Sequence, residues 1–302
     1  MTTMTETQTS PLPPRARSTA GTRGVTFGGV LRSEWIKLWS LMSTRILLLL
    51  TLAAIVGVGA LAVLIRYSFL EQMVNTAKEQ GQTMTPDMLE QSFPPGSGFD
   101  LYNLPNAGLQ IGILVLGSLA VLFISSEYAT GMIRSTMNAV PRRTPAFVAK
   151  AIILAVISYV ITTVAAAATF LIAMPVFQGL GFDLDWSTDG VMYSIFTGGL
   201  YVAGVALIGL SLGTLLRNSA GGITVLVGMF FVLSIAASFM TFIPGDFWKY
   251  VPQYIPSEAG GRFLSIGHTD GIIDPWHGGL IFLGYVLLFL VPAVIVLKKR
   301  DV

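Results

Sequence analysis

A chain of 302 residues that is 53% hydrophobic and only 11% charged, with a mean hydropathy of +0.71, is excluded from the soluble globular class, where charged residues run near a quarter. The composition is that of a membrane protein. The net charge of +2 says little by itself, because in a membrane protein the distribution of charge between the two sides matters more than the sum. The absence of cysteine excludes disulfides, thiolate metal sites and a cysteine nucleophile, and no nucleic-acid partner is expected.

Residues 1–26 are rich in Thr, Ser, Pro and Arg and contain no apolar run, which predicts a disordered cytoplasmic tail rather than a cleaved signal. From Phe27 to Arg45 the pattern becomes amphipathic. At 100° per residue, Val30, Leu31, Trp35, Leu38, Trp39, Leu41 and Met42 share one half of a helix, while Arg32, Ser33, Lys37, Ser40, Ser43 and Thr44 share the other. Glu34 and Ile36 each stand on the wrong face. Tryptophans at the apolar edge and cations opposite predict a helix lying in the headgroup region, where Glu34, Trp35, Lys37 and Trp39 are its marker residues.

Six apolar segments follow, at about 46–65, 107–125, 146–174, 191–216, 220–243 and 278–297, each long enough as a helix to cross a hydrocarbon core of about 30 Å. The expected fold is therefore all-α: a polytopic protein with six transmembrane helices and an N-terminal amphipathic interfacial helix. Between the first two spans, residues 66–106 are expected to form a small external loop with short helical pieces, and residues 298–302 a basic cytoplasmic end. With both termini inside, fourteen of the eighteen Lys and Arg residues fall on the cytoplasmic side, leaving only Arg66, Lys78, Lys249 and Arg262 outside. That bias predicts cytoplasmic termini in the cell membrane.

The helix cores carry no obvious ionisable side chain, since Glu127, Lys150 and Arg217 fall at cytoplasmic helix ends, so a proton or ion pump is disfavoured. A phosphate-binding loop needs Gly-Lys followed by Ser or Thr, and none of the six lysines follows a glycine. Work done by this chain would draw on nucleotide hydrolysed elsewhere. The only histidines, His268 and His277, lie near Asp270 and Asp274 on the external side, read as solvated loop residues rather than a metal site, and no triad is available to the serines. No cofactor and no catalytic residue are expected.

Between the second and third spans lies a basic island. Glu127 is followed by Gly131, Met132, Ile133 and Arg134, then by Pro141, Arg142, Arg143 and Lys150. The second span is expected to continue past Glu127 towards Asn138 and to stop at Val140-Pro141, with Thr144 as the N-cap and Pro145 as the first-turn proline of the third. Gly108 and Gly112, and Gly209 and Gly213, are spaced for close helix packing.

These features resemble the integral-membrane permeases of the ABC-2 type. Glu127, Gly131-Met132-Ile133-Arg134, Pro141-Arg142-Arg143 and Lys150 look like that family's Glu, Gly-Thr-x-Arg, Pro-x-Arg and Lys pattern, with Met132 where Thr is common. Leu31-Arg32-Ser33-Glu34-Trp35-Ile36-Lys37-Leu38 resembles its amphipathic connecting helix, and Tyr254-Ile255-Pro256-Ser257-Glu258-Ala259-Gly260 its Leu-Pro-x-x-Ala-Gly stretch before the last helix. The resemblance implies the membrane-spanning subunit of an ATP-driven exporter. It implies a separate ATP-binding subunit as partner, a homodimer or a heterodimer with a second permease, and a setting among membrane lipids. It makes Glu127, Gly131 to Arg134 and Pro141 to Arg143 the coupling residues, and Tyr254, Pro256 and Glu258 part of an external gate. The competing expectation is a passive channel or an uncoupled carrier.

Overall fold

The computed structural model describes residues 26–40, 42–82, 88, 101–132, 143–240, 242–268 and 271–299. Its elements are α1 (Phe27–Ser40), α2 (Met42–Glu79), α3 (Leu109–Ala129), α4 (Arg143–Gln178), α5 (Val191–Leu216), α6 (Ser219–Met240), α7 (Asp246–Tyr250), α8 (Pro256–Phe263) and α9 (Pro275–Lys299). Short 3-10 turns occupy Leu101–Asn106 and Val251–Tyr254, and there is no strand among the described residues. Six helices, α2 to α6 and α9, are long and apolar enough to cross a membrane. The chain is a polytopic all-α membrane protein.

The bundle is built around α5, of which 78% of the most apolar stretch is buried, against 28% for α2, 17% for α6 and 22% for α9. Its small residues permit that position. A Cβ on Gly209 would lie 2.4 Å from the Gly117 carbonyl oxygen of α3, and one on Gly213 would lie 2.7 Å from that of Val121. Gly108 meets the Ile55 carbonyl of α2 in the same manner, so three of the four expected glycines are points of backbone approach, while Gly112 faces the Ile55 side chain, 3.3 Å from a Cβ built there. The main core then gathers Ile113, Leu116 and Ile124 of α3, Ile153 and Leu154 of α4 and Val202, Ala206 and Leu210 of α5.

The end of the first span differs from expectation. The first span does not stop at Ile65: α2 continues through Arg66 to Glu79, and its 38 residues make roughly 57 Å of helix, far more than the hydrocarbon needs. Continuation has a packing cause, because Val63 and Leu70 join Phe170, Ala173 and Phe177 of the nearly as long α4 in a second core, covered by Leu104, Phe182 and Leu184. The fifth span is one helix with a π-helical turn at Gly228–Val232. The tail at residues 1–25 and most of the basic end after Lys299 lie outside the described residues.

Candidate functional site

The explanation for the misplaced Glu34 lies in the neighbours of α1. Val30, Glu34 and Leu38 recur every fourth residue, form one ridge of the helix and are all buried. Val30 rests on Ala146 and Ala149 of α4, which brings Glu34 to Lys150 one turn further along. Ile36, the other exception to the pattern, is exposed as its position on the polar face requires.

Four charges close into a ring of alternating sign. Lys150 Nζ donates to Glu34 Oε2 at 2.5 Å and to Glu127 Oε1 at 2.7 Å, while Lys37 Nζ donates to Glu127 Oε1 at 2.8 Å and to Glu34 Oε1 at 2.9 Å. Each lysine thus bridges both carboxylates, and the ring ties α1, the last turn of α3 and the start of α4 to one another. The side chains of Glu34, Glu127 and Lys150 are each 2% exposed, whereas that of Lys37 is 28% exposed and is the only one open to water. Phe123 of α3 presents its ring to the Lys150 ammonium at 4.6 Å. Glu127 Oε2 is buried without a hydrogen-bond partner.

Burial pulls the Lys37 ammonium down, but hydrogen bonds and charges from Glu127 and Glu34 outweigh it and hold the group above the ordinary lysine value. The stability this adds is complete below the unfolded-chain value of about 10.4 and disappears only as pH rises through the higher folded value. Lys37 therefore does not titrate in the neutral range. Buried ion pairs gain little over apolar packing, yet removing one partner typically costs about 3–5 kcal/mol. What such a ring supplies is one permitted geometry for the three helix ends.

Next to the ring the chain leaves α3. The helix ends at Ala129 rather than continuing towards Asn138, because Gly131 takes a left-handed φ of 69° and its N–H turns back to the Tyr128 carbonyl. No atom lies within 4 Å of a Cβ built on Gly131, so the glycine is required by backbone conformation alone. Met132 follows with its side chain exposed. Ile133, Arg134, Pro141 and Arg142 lie outside the described residues. Arg143 is the first residue of α4, so Thr144 falls within the first helical turn instead of capping it, and Pro145 stands where a missing N–H is harmless. Arg217, at the end of α5, lays its guanidinium over the Tyr128 ring at 5.1 Å.

On the outer side of α1, Trp35 and Trp39 stack at 5.5 Å with rings tilted by 54°. Trp35 is exposed and Trp39 half-buried, as an interfacial helix requires, and neither joins the ring of charges. The expected marker residues of α1 thus divide by face. Glu34 and Lys37 turn to the bundle, and the tryptophans turn outward.

The residues expected at the gate lie at the opposite end of the bundle. Pro256 is the first residue of α8 and is buried, the Tyr254 carbonyl accepts from the Tyr285 hydroxyl of α9 at 3.1 Å, and Glu258 accepts from the Ser234 hydroxyl of α6 at 2.6 Å. They tie α8 to two spanning helices. Close by, His268 Nδ1 and Asp274 Oδ1 are 2.6 Å apart and His277 Nδ1 approaches Asp274 Oδ2 at 3.4 Å. The hydrogen bond from His268 is the main reason that the Asp274 carboxyl is held below the usual range. Among the described residues no group of three or more acids and histidines converges as metal ligands.

Lys150 is the member of the ring that sequence reasoning left out of the candidate site, although it had placed the residue in the basic island. The available signal was Glu34, an acid on an apolar face that must find a buried cation. No protein-family model and no curated protein matches the chain.

Proposed function

We propose that this chain is the membrane-spanning subunit of an ATP-driven exporter of the ABC-2 type, working as a homodimer or heterodimer in the cell membrane with both termini cytoplasmic. Separate ATP-binding subunits press on the basic segment after Gly131. The observation that carries the reading is the buried ring: Glu127 and Lys150 flank that segment in sequence, at the end of α3 and the start of α4, and Glu34 and Lys37 bind both to α1. A push on the segment is therefore delivered to two spanning helices and the interfacial helix as one body, instead of being absorbed by side-chain repacking. The resemblance in the same residues supplies the partner class and the outward direction.

Gentle extraction of the full-length protein from its native membrane tests this. A stoichiometric ATP-binding chain is expected to co-purify, the purified subunit alone is expected to hydrolyse no ATP, and Arg134→Ala or Glu127→Ala is expected to abolish transporter-stimulated hydrolysis with normal membrane insertion. Intrinsic hydrolysis by the isolated chain, or wild-type stimulation in both variants, overturns the reading and favours a passive channel or uncoupled carrier.

A further inference from the structure

At the α1 end of the bundle, α1 overhangs a groove between α2 and α4, with a cavity of about 360 Å³. This is at the small end of the roughly 300–1,000 Å³ typical of ligand pockets. Trp35 and Trp39 roof it, and Leu48, Leu52, Val156 and Val160 wall it. The one charged residue on the lining is Arg45, in the first turns of α2, whose Nε donates to the Trp39 carbonyl at 2.6 Å. That bond holds the guanidinium at the groove, and Arg45 is exposed. No carboxylate pairs with Arg45 among the described residues.

We propose that this groove holds one anionic glycerophospholipid, with an acyl chain along the α2 and α4 walls and the phosphodiester on Arg45. The medium around a spanning helix is lipid, so what distinguishes a retained lipid from the bulk is fit and charge. The walls supply an apolar slot in which the protein offers a chain no polar partner. The roof supplies indoles at the depth where headgroups meet chains. Arg45 supplies a planar donor fork suited to a phosphate and paired with no acid among the described residues. Its height in the bundle matches, because Arg45 stands where the charge-free run of α2 begins. The inference needs only that the six helices cross a bilayer, and stands apart from any partnership with an ATPase.

The full-length protein, purified in mild detergent, is given equimolar phosphatidylglycerol and phosphatidylcholine of identical chains and examined by native mass spectrometry. One tightly held phosphatidylglycerol is expected, favoured about fivefold over phosphatidylcholine, which is the scale of one basic residue at an anionic lipid surface. Arg45→Gln should bring the ratio to about one, Arg45→Lys should keep part of the preference, and Val156→Trp should displace both lipids. Equal retention by the wild type, or an unchanged preference in Arg45→Gln, overturns the charge contact. An unchanged adduct in Val156→Trp overturns the groove. A second measurement serves if a variant fails to fold: phosphatidylglycerol brominated on its acyl chain should quench the tryptophan emission of the wild type more than brominated phosphatidylcholine does at equal mole fraction. Equal quenching overturns the proposal.

Discussion

Three of the four charges in the ring are shut away from water, and a charge so buried needs an opposite one beside it. The ring is neutral as a set, with Glu34 and Glu127 against Lys37 and Lys150, and its energetics follow from that parity. Lys150→Met leaves two carboxylates against the half-open Lys37, and Glu34→Gln leaves two ammonium groups against Glu127, so each single change should cost about 3–5 kcal/mol. Making both changes restores a neutral pair of Lys37 and Glu127. The double variant should therefore be more stable than the sum of the single losses by about 1–3 kcal/mol, the range found for residues in one network. Heat-induced loss of the monodisperse chromatographic peak, followed for wild type, both single variants and the double, measures this. Losses that add to within about 0.5 kcal/mol would show that the charges do not act as a ring.

Among the spanning helices, α5 is held by surfaces on which backbone meets backbone. A side chain at Gly209 has no flexible neighbour to displace, because the obstruction is the Gly117 carbonyl. Gly209→Ala should lower stability by about 1–3 kcal/mol, the cost of forcing packed elements apart. Gly284→Ala in α9, where nothing lies within 4 Å, should be neutral or slightly stabilising through helix propensity. The same thermal measurement compares them, and equal effects at the two sites would remove the claim that α5 is packed by close backbone approach. The glycine spacing and all six spans were legible in the chain, because hydrocarbon imposes a length and a polarity that few other settings require. The extra turns of α2 were not legible. A charge such as Arg66 marks the end of an apolar run but not of a helix, and the partners that keep α2 helical to Glu79 lie on α4, about a hundred residues away in sequence. The ring was half legible for the same reason: Glu34 announces a buried partner, but 116 residues separate it from Lys150 and nothing local points to which cation it meets.

For the molecule as a whole, the two ends of the bundle differ in charge and in construction. Starting from α1, the six spans alternate in direction, so Arg32, Lys37, Arg45, Arg143, Lys150, Arg217, Lys298 and Lys299 gather at the α1 end. The other end holds Arg66, Lys78, Lys249 and Arg262, together with the projecting turns of α2 and the short helices α7 and α8. Insertion generally retains the richer basic end on the cytoplasmic side, so eight basic residues at the α1 end against four at the other predict that the α1 end is the cytoplasmic one. The chain contains no cysteine, so a single introduced thiol reports its own side of the membrane without background. Gln80, just beyond α2, and Lys299, at the end of α9, are exposed and stand at opposite ends. With a membrane-impermeant maleimide, Gln80→Cys should be labelled in intact cells and Lys299→Cys only after permeabilisation. The reverse pattern would put the ring of charges on the outer face, beyond the reach of any cytoplasmic ATPase, and labelling of both in intact cells would mean that the number of crossings is not six.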